Sequence, residues 1–312
     1  MAPSCITRAA DLVTSHKATC DGFLRQAILK TEKASPYIKK AAEVWAALGQ
    51  AASVEDLLSI AELRDALIAT AGVSDKAKKY LTPQDIDGIL KGIFKVIEET
   101  ETLPFREELF YRYLLTRGDS LGGQMRNVAG AEGQRALVRP ILAKLMQSNS
   151  APMAYMSRPI FGAGWVSGTD ALAYLDSSKV QAIQWRNRQL HFDKKPKLIA
   201  NSVDAILIDS QHPSGAMLEE HHRYLACGEL KAGVDPAGAD EHWKTASSAL
   251  DRIRERFQAK SHAVSLFYVG AAIQEVMAGQ IFDRLTSGTL TKAANLTVEQ
   301  QVEELVSWLV SL

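Results

Sequence analysis

The feature that most constrains this chain is a pair of apolar segments that each carry acidic residues. Residues 203–209 read Val-Asp-Ala-Ile-Leu-Ile-Asp, and residues 227–231 read Cys-Gly-Glu-Leu-Lys. Residues two apart on a strand point to the same face, so Glu229 and Lys231 present a carboxylate beside an ammonium. A carboxylate from a neighbouring strand would complete a set of hard oxygen ligands for Mg²⁺, with the lysine beside it. That set favours metal-assisted hydrolysis of a phosphodiester.

Asp204 and Asp209 are the two candidates for the second carboxylate. They have opposite parity on one strand, so only one of them can face Glu229. The residues alone do not choose between them. The competing interpretation is a solvated Glu-x-Lys ion pair, which contributes little to stability. The apolar residues around Glu229, among them Cys227 and Leu230, favour a half-buried site instead.

The first 120 residues have helical patterns, and Ser53 is expected to cap one helix that ends at Gly72. Proline at the first position predicts one helix from Pro83 and another from Pro104 to Gly118. Residues 128–147 predict a further helix, interrupted near Pro140.

From residue 150 onwards the pattern changes to short alternating segments. With residues 203–208 and 224–231 these segments predict a small sheet. A helix carrying Trp243 and Phe257 follows, then a buried strand at residues 266–269. Thr297 and Gln300 predict a capping box for the last helix. The fold class is therefore mixed α/β, with a large N-terminal helical region.

Composition excludes little. The 312 residues include 36 Lys and Arg and 36 Asp and Glu, so the net charge is zero and neither supports nor excludes a nucleic-acid partner. The three cysteines have no metal-binding spacing and are consistent with a reducing cytoplasm. No signal peptide and no transmembrane segment is expected.

Six segments together resemble one known family, the AvaI/BsoBI family of type II restriction endonucleases. The most specific is 228–245, which contains Glu229, Lys231 and His242. The other five occur in the same order as in that family: 35–38, 72–82, 112–127, 269–273 and 294–297.

The resemblance implies a restriction-endonuclease core of the PD-(D/E)XK type, formed by residues 118–312. A mainly helical region, residues 1–117, is expected to help grip double-stranded DNA, with the protein acting as a homodimer. The family motif places the metal-binding aspartate at Asp204, with Glu229 as the second Mg²⁺ ligand. Lys231 orients the nucleophilic water, and His242 lies beside the catalytic centre. The residue pattern alone allows His242 to be an ordinary histidine at a helix start.

Base recognition is assigned through the resemblance to Lys76, Asp119 and Asp235. An aspartate can accept a hydrogen bond from cytosine N4, and a lysine can donate to guanine. Each of these three residues also has an alternative interpretation that involves no contact with a base. Asp119 could cap a helix beginning at Ser120, Lys76 could belong to a solvated basic cluster, and Asp235 could be a turn residue.

Lys194 and Arg254 lie in basic segments that offer phosphate contacts, although an ordinary solvated face is the more common meaning of such segments. The function indicated is Mg²⁺-dependent cleavage of both strands at a short palindromic site, and the resemblance suggests C-Y-C-G-R-G. A cognate DNA methyltransferase is expected in the same host. The alternative is a site-specific DNA-binding protein whose nuclease activity is weak or lost.

Overall fold

The structure is a computed structural model that describes residues 4–51, 54–74, 76–100, 103–158, 162–211 and 216–312. It divides into two compact units. The sheet unit comprises the first 24 residues together with Val128–Leu312, and the helical unit is Arg25–Asn127. The predicted boundary at residues 117 and 118 falls inside a helix of the helical unit.

The helical unit has its own apolar core. Its helices are α1 (His16–Leu48), α2 (Val54–Ser59), α3 (Ala61–Thr70), α4 (Pro83–Thr100) and the first part of α5 (Phe105–Gln147). The start of α4 at Pro83 is as predicted. Leu48, Leu63, Phe94 and Tyr113 are among the buried side chains, so each helix contributes one apolar face.

The sheet unit is built on one eight-stranded mixed sheet. Its strands are β1 (Met153–Arg158), β2 (Gly162–Ser167), β3 (Lys179–Trp185), β4 (Arg188–Lys194), β5 (Val203–Asp209), β6 (Tyr224–Lys231), β7 (Ser265–Gly270) and β8 (Lys292–Asn295). Their order is β2-β1-β3-β4-β5-β6-β7-β8. Neighbouring strands are antiparallel as far as β6, while β6, β7 and β8 are parallel.

Helices cover both faces of this sheet. They are α6 (Gly168–Tyr174), α7 (Ala239–Gln258), α8 (Glu275–Thr286) and α9 (Glu299–Ser311), together with the end of α5. The end of α5 and α9 pack in one apolar cluster, whereas α7 and α8 pack in the other. Strand β5 contributes Leu207 to the first cluster and Ile206 to the second, so it is buried on both faces.

Helix α5 corrects the prediction of two helices separated after Gly118. It runs without a break through Phe105–Gln147 and contains Pro140. Proline in a helix interior costs about 3 kcal/mol. Leu137, Val138 and Ile141 are fully buried around it, and each such side chain contributes about 1.5–3 kcal/mol. Burial on this face therefore outweighs the lost hydrogen bond.

The start of α9 also differs from the prediction. Its N-cap residue is Val298, and no side chain caps the first turn. The Thr297 hydroxyl instead donates to Asn295 Oδ1, at 2.7 Å. The buried side of α9 is as predicted, with Val302, Leu305 and Leu309 in the core. Ser53, expected to cap a helix, lies outside the described residues.

The described part of the chain contains no helix with the length and hydropathy needed to span a membrane.

Candidate active site

Three predicted residues meet where β5 and β6 lie side by side. The antiparallel register pairs Ala205 with Gly228, which places Asp204 opposite Glu229. Lys231 Nζ donates to Asp204 Oδ2 at 2.9 Å and to Glu229 Oε2 at 2.8 Å. The Leu230 backbone N–H also donates to Asp204 Oδ2, at 2.8 Å. One ammonium thus joins two carboxylates from neighbouring strands.

Asp209 does not join this group. Its carboxylate lies 3.5 Å from Arg188 Nη1 and accepts a hydrogen bond from the Gln211 backbone N–H. The alternation of side chains along β5 therefore brings Asp204 to Glu229 and directs Asp209 elsewhere.

Glu229 is the most deeply buried member of the group, with 4 % of its surface exposed. Burial, and then the negative charge of Asp204, raise the pKa of Glu229 to about 7. Lys231 lowers the pKa of Glu229, but less strongly. Glu229 Oε1 is buried and has no hydrogen-bond partner among the described residues.

Lys231 keeps its charge in this setting. Burial disfavours the ammonium, but Glu229 and Asp204 together outweigh that effect and raise the pKa of Lys231. The lysine therefore stays a cation near neutral pH and cannot act there as a general base.

The carboxylates fit a divalent cation that keeps part of its water shell. Mg²⁺ is commonly held by one or two carboxylates and completes its coordination with water and phosphate oxygens. Asp204 and Glu229 supply that number, and the unpartnered Glu229 Oε1 is an anionic oxygen in need of a counter-charge. No group of three or more His, Cys, Asp or Glu side chains within the described ranges is arranged to hold a metal. The remaining ligands would therefore come from water, phosphate or backbone carbonyl oxygens.

His242 lies in the first turn of α7, exposed to solvent. Its ring faces the backbone of the segment after β6, because a Cβ added at Gly233 or Gly238 would lie 3.7 or 3.5 Å from His242 Nε2. In the described part of the chain it forms no hydrogen bond with Asp204, Glu229 or Lys231. The structure therefore places His242 beyond the end of β6 without bringing it into the carboxylate group.

The three predicted base readers are all exposed. Asp235 caps the short helix Pro236–Gly238 by accepting from the Ala237 N–H at 2.9 Å, so it is at least a turn residue. Lys76 precedes the short helix Ala77–Tyr80. Asp119 lies inside α5, and the alternative that it caps a helix starting at Ser120 is wrong.

The two predicted phosphate contacts have different surroundings. Lys194 is half-buried at the end of β4, where it pairs with Val203 in the ladder. Arg254 donates to Asp251 Oδ1 at 2.6 Å, and Arg284 contacts the same carboxylate oxygen. Arg254 is therefore held by an acid on its own helix.

Tyr268 is a neighbour of the site that the sequence analysis did not single out. It pairs with Glu229 in the parallel register of β6 and β7 and is fully buried. Burial, and then the charge of Glu229, raise its pKa. The prediction treated residues 266–269 as an apolar strand. One feature of the sequence could have identified this residue: Tyr268 is the only residue of that run whose side chain carries a polar group.

Comparison with known proteins identifies the family of this chain. The family model "Restriction endonuclease BsobI" matches residues 4–312. The type II restriction enzyme BsoBI of Geobacillus stearothermophilus is 37 % identical over 309 residues, covering 97 % of this chain and 95 % of the relative. The type II restriction enzymes AvaI of Nostoc sp. and of Anabaena variabilis are each 37 % identical over 308 residues, covering 97 % of this chain and 96 % of the relative. With a family match over nearly its whole length and these identities, the chain belongs to the BsoBI family of restriction endonucleases.

Proposed function

We propose that this chain hydrolyses one phosphodiester on each strand of a short palindromic DNA site, with Mg²⁺ as cofactor. Its relatives are named type II restriction enzymes and align with it almost from end to end. The observation that carries the proposal is the arrangement of Lys231 between Asp204 and Glu229, at 2.9 and 2.8 Å. Two carboxylates can hold the metal in metal-assisted phosphodiester hydrolysis, and an ammonium beside them can orient the attacking water.

Each side chain has a distinct part in this reaction. Asp204 and Glu229 would hold Mg²⁺, which when bound supplies a Lewis acid for the scissile phosphate and its attacking water. Lys231 orients the water in line with phosphorus and offsets the charge that develops on the phosphate oxygens. His242, in the first turn of α7, is proposed to donate or accept a proton in the reaction.

The carboxylate group also explains why a cation would be needed. Lys231 is shared between two carboxylates, so the group as a whole carries an excess of negative charge. A DNA phosphate brought to it would be repelled unless further positive charge were present. A bound divalent cation removes that repulsion.

Sequence recognition is proposed at C-Y-C-G-R-G. This site reads the same on both strands, and a two-fold symmetric homodimer matches such a sequence. Lys76, Asp119 and Asp235 are proposed to contact base edges, and Lys194 and Arg254 to contact phosphates. A methyltransferase of the same host would protect its own copies of the site. Sedimentation of the purified protein is expected to give the mass of two chains.

The test is digestion of plasmid DNA with purified protein in Mg²⁺, in Ca²⁺ and in excess EDTA, followed by sequencing of the cut ends. Discrete fragments in Mg²⁺ alone, with ends inside C-Y-C-G-R-G, are expected. Discrete fragments in EDTA would contradict the metal requirement. Specific binding without cleavage in Mg²⁺ would instead support a DNA-binding protein that has lost nuclease activity.

A matched pair on β5 tests the site itself. Asp204→Asn is expected to abolish cleavage, whereas Asp209→Asn should leave it close to wild type. Both changes convert one aspartate on the same strand to its amide, but only Asp204 contacts Lys231. Equal loss of cleavage in the two variants would show that the active site has been misplaced.

A further inference from the structure

Two buried polar atoms with complementary chemistry lie on neighbouring strands beside the carboxylate group. Glu229 Oε1 and the Tyr268 hydroxyl are both buried and lack a hydrogen-bond partner among the described residues. One is an acceptor in need of a donor, and the other carries a donor proton. A buried polar atom left unpaired destabilises the fold, so such atoms are normally satisfied.

The strand register puts the phenol next to the catalytic residues. In the parallel pair of β6 and β7, Glu229 aligns with Tyr268 and Lys231 aligns with Gly270. Aligned residues share a face, so all four belong to one side of the sheet. The tyrosine ring extends along β7 towards Gly270, since a Cβ added at Gly270 would lie 2.7 Å from the Tyr268 hydroxyl. The hydroxyl is thus brought alongside the positions of Glu229 and Lys231.

The ring of Tyr268 is fixed by packing against helix α7. Trp243 packs edge-on against it, with ring centroids 4.9 Å apart. The Trp243 indole N–H donates to Gln280 Oε1 at 2.6 Å. Cys227 also shares the face of Glu229, but a thiol is only a weak donor.

From this geometry we propose that Tyr268 is a positioning residue for Glu229, donating a hydrogen bond through one ordered water to Glu229 Oε1. A carboxylate oxygen has two lone pairs, so Oε1 can accept this bond and still face a cation. The bond fixes the carboxylate plane while Lys231 holds Oε2. Hydrogen bonds of this kind to ligating carboxylates typically change metal affinity or activity by 10–100-fold.

The catalytic part of this proposal rests on the proposed function, but the hydrogen bond can be tested without metal or DNA. Thermal unfolding in EDTA is compared for wild type, Tyr268→Phe, Glu229→Gln and the double variant. Tyr268→Phe is expected to lower the Tm in the wild-type background, and to lower it by less than half as much when Glu229→Gln is also present. Equal losses in the two backgrounds would mean that the hydroxyl acts independently of Glu229, and would overturn the proposal.

The second measurement is single-turnover cleavage in Mg²⁺. Tyr268→Phe is expected to slow cleavage 10–100-fold while binding to the cognate duplex in Ca²⁺ stays within about twofold. The matched control is Tyr224→Phe, because Tyr224 is another fully buried tyrosine whose hydroxyl donates to the Leu218 carbonyl instead. That variant should lose stability but cut at the wild-type rate.

The cleavage rates decide whether Tyr268 positions Glu229 for the reaction. A wild-type rate for Tyr268→Phe, or equal slowing by Tyr224→Phe, would reject a positioning role even if the Tm values were coupled. If the wild-type protein did not cleave at all, the proposed function would fail. The thermal comparison would still show whether Tyr268 and Glu229 are coupled by a hydrogen bond.

Discussion

Lys231 allows a buried carboxylate, Glu229, to lie beside a half-buried one, Asp204, by donating to one oxygen of each. Without it, Asp204 and Glu229 would repel each other in a site where burial already disfavours charge. The arrangement is therefore costly for the fold and useful for binding a cation. Active sites commonly concentrate charge in this way at the expense of stability.

Glu229→Gln is expected to stabilise the metal-free protein, and more so at higher pH. The pKa of Glu229 is raised from its ordinary value of 4.5 to about 7. The folded state therefore favours the neutral acid, and its stability is fully present below pH 4.5 and falls as the pH rises through 7. In EDTA at pH 8 the variant should unfold at least about 2 °C above wild type, corresponding to roughly 1 kcal/mol.

At pH 5 the same comparison should give a smaller difference, because Glu229 is then mostly protonated in the folded wild type. Saturating Mg²⁺ should reverse the order at pH 8, since only the wild type gains a bound cation. A pH-independent difference in EDTA would show that Glu229 is not strained by its charge.

His242→Ala is expected to slow the chemical step by about 10²–10⁴-fold, the usual range for general acid–base catalysis. Single-turnover cleavage with enzyme in excess measures this step without product release. The control is His262→Ala, because His262 bonds the Tyr224 backbone carbonyl away from the carboxylates. A loss below about threefold for His242→Ala would show that His242 has only a structural role.

At the scale of elements, the sequence was most informative where alternation and burial coincide. Strands β5 and β6 could be predicted because both are short apolar segments interrupted by Asp204, Glu229 and Lys231. Side-chain parity shows that Glu229 and Lys231 share a face, and that only one of Asp204 and Asp209 can face Glu229. The choice of Asp204 came from the family resemblance, because it depends on the register of β5 against β6.

Elements that depend on distant packing were not predicted. Strands β1 and β2 lie at one edge of the sheet and β8 at the other, and each is defined by a partner strand. Helix α5 continues through Pro140 because buried neighbours outweigh the proline. The position of His242 off the carboxylate group likewise depends on the turn that ends β6. No local pattern encodes these features.

Gly133 tests whether helix α5 fixes the position of Ala232, the residue that follows strand β6. A Cβ added at Gly133 would lie 2.0 Å from the Cβ of Ala232, the residue after Lys231. Gly133→Ala must therefore push the two segments apart, at a cost of about 1–3 kcal/mol. Cleavage should fall as well, because Lys231 would shift relative to Asp204.

Gly130→Ala is the matched control on the same helix. A Cβ there meets nothing within 4 Å. Alanine favours an exposed helix by about 0.5–1 kcal/mol over glycine, so this variant should unfold slightly later and cut normally. Thermal unfolding and cleavage rate together distinguish the two cases. Equal behaviour of the variants would show that α5 does not constrain Ala232.

At the scale of the whole molecule, the chain ends reinforce the sheet unit. The Thr14 hydroxyl donates to the Ala271 carbonyl, and the Ala271 N–H in turn donates to the Lys231 carbonyl, each at 2.9 Å. Buried Asn295 donates to the Leu12 carbonyl. Residues 257 and 283 positions apart in sequence thus meet in the sheet unit, which sequence proximity could not indicate.

Overall charge sets the terms for DNA binding. With 36 acidic and 36 basic side chains the net charge is zero, so affinity for DNA must come from local patches and specific contacts. An exposed acid near the DNA would weaken binding to every sequence. It becomes favourable only where it accepts a hydrogen bond from a base, such as cytosine N4.

Asp235 is the residue on which this argument can be tested. Because its carboxylate also caps the Pro236–Gly238 turn, two variants are needed. Asp235→Asn preserves the capping oxygen and removes the charge, whereas Asp235→Ala removes both. If Asp235 reads a base, both variants should bind the C-Y-C-G-R-G duplex about 5–150-fold more weakly, equivalent to 1–3 kcal/mol. Random duplex should be bound as well as before or better, because a negative charge has been removed.

Fluorescence anisotropy in Ca²⁺ at two salt concentrations measures these affinities. A uniform gain for all sequences with Asp235→Asn would mean that Asp235 is a turn residue that repels DNA, and that base recognition lies outside the segment after Lys231.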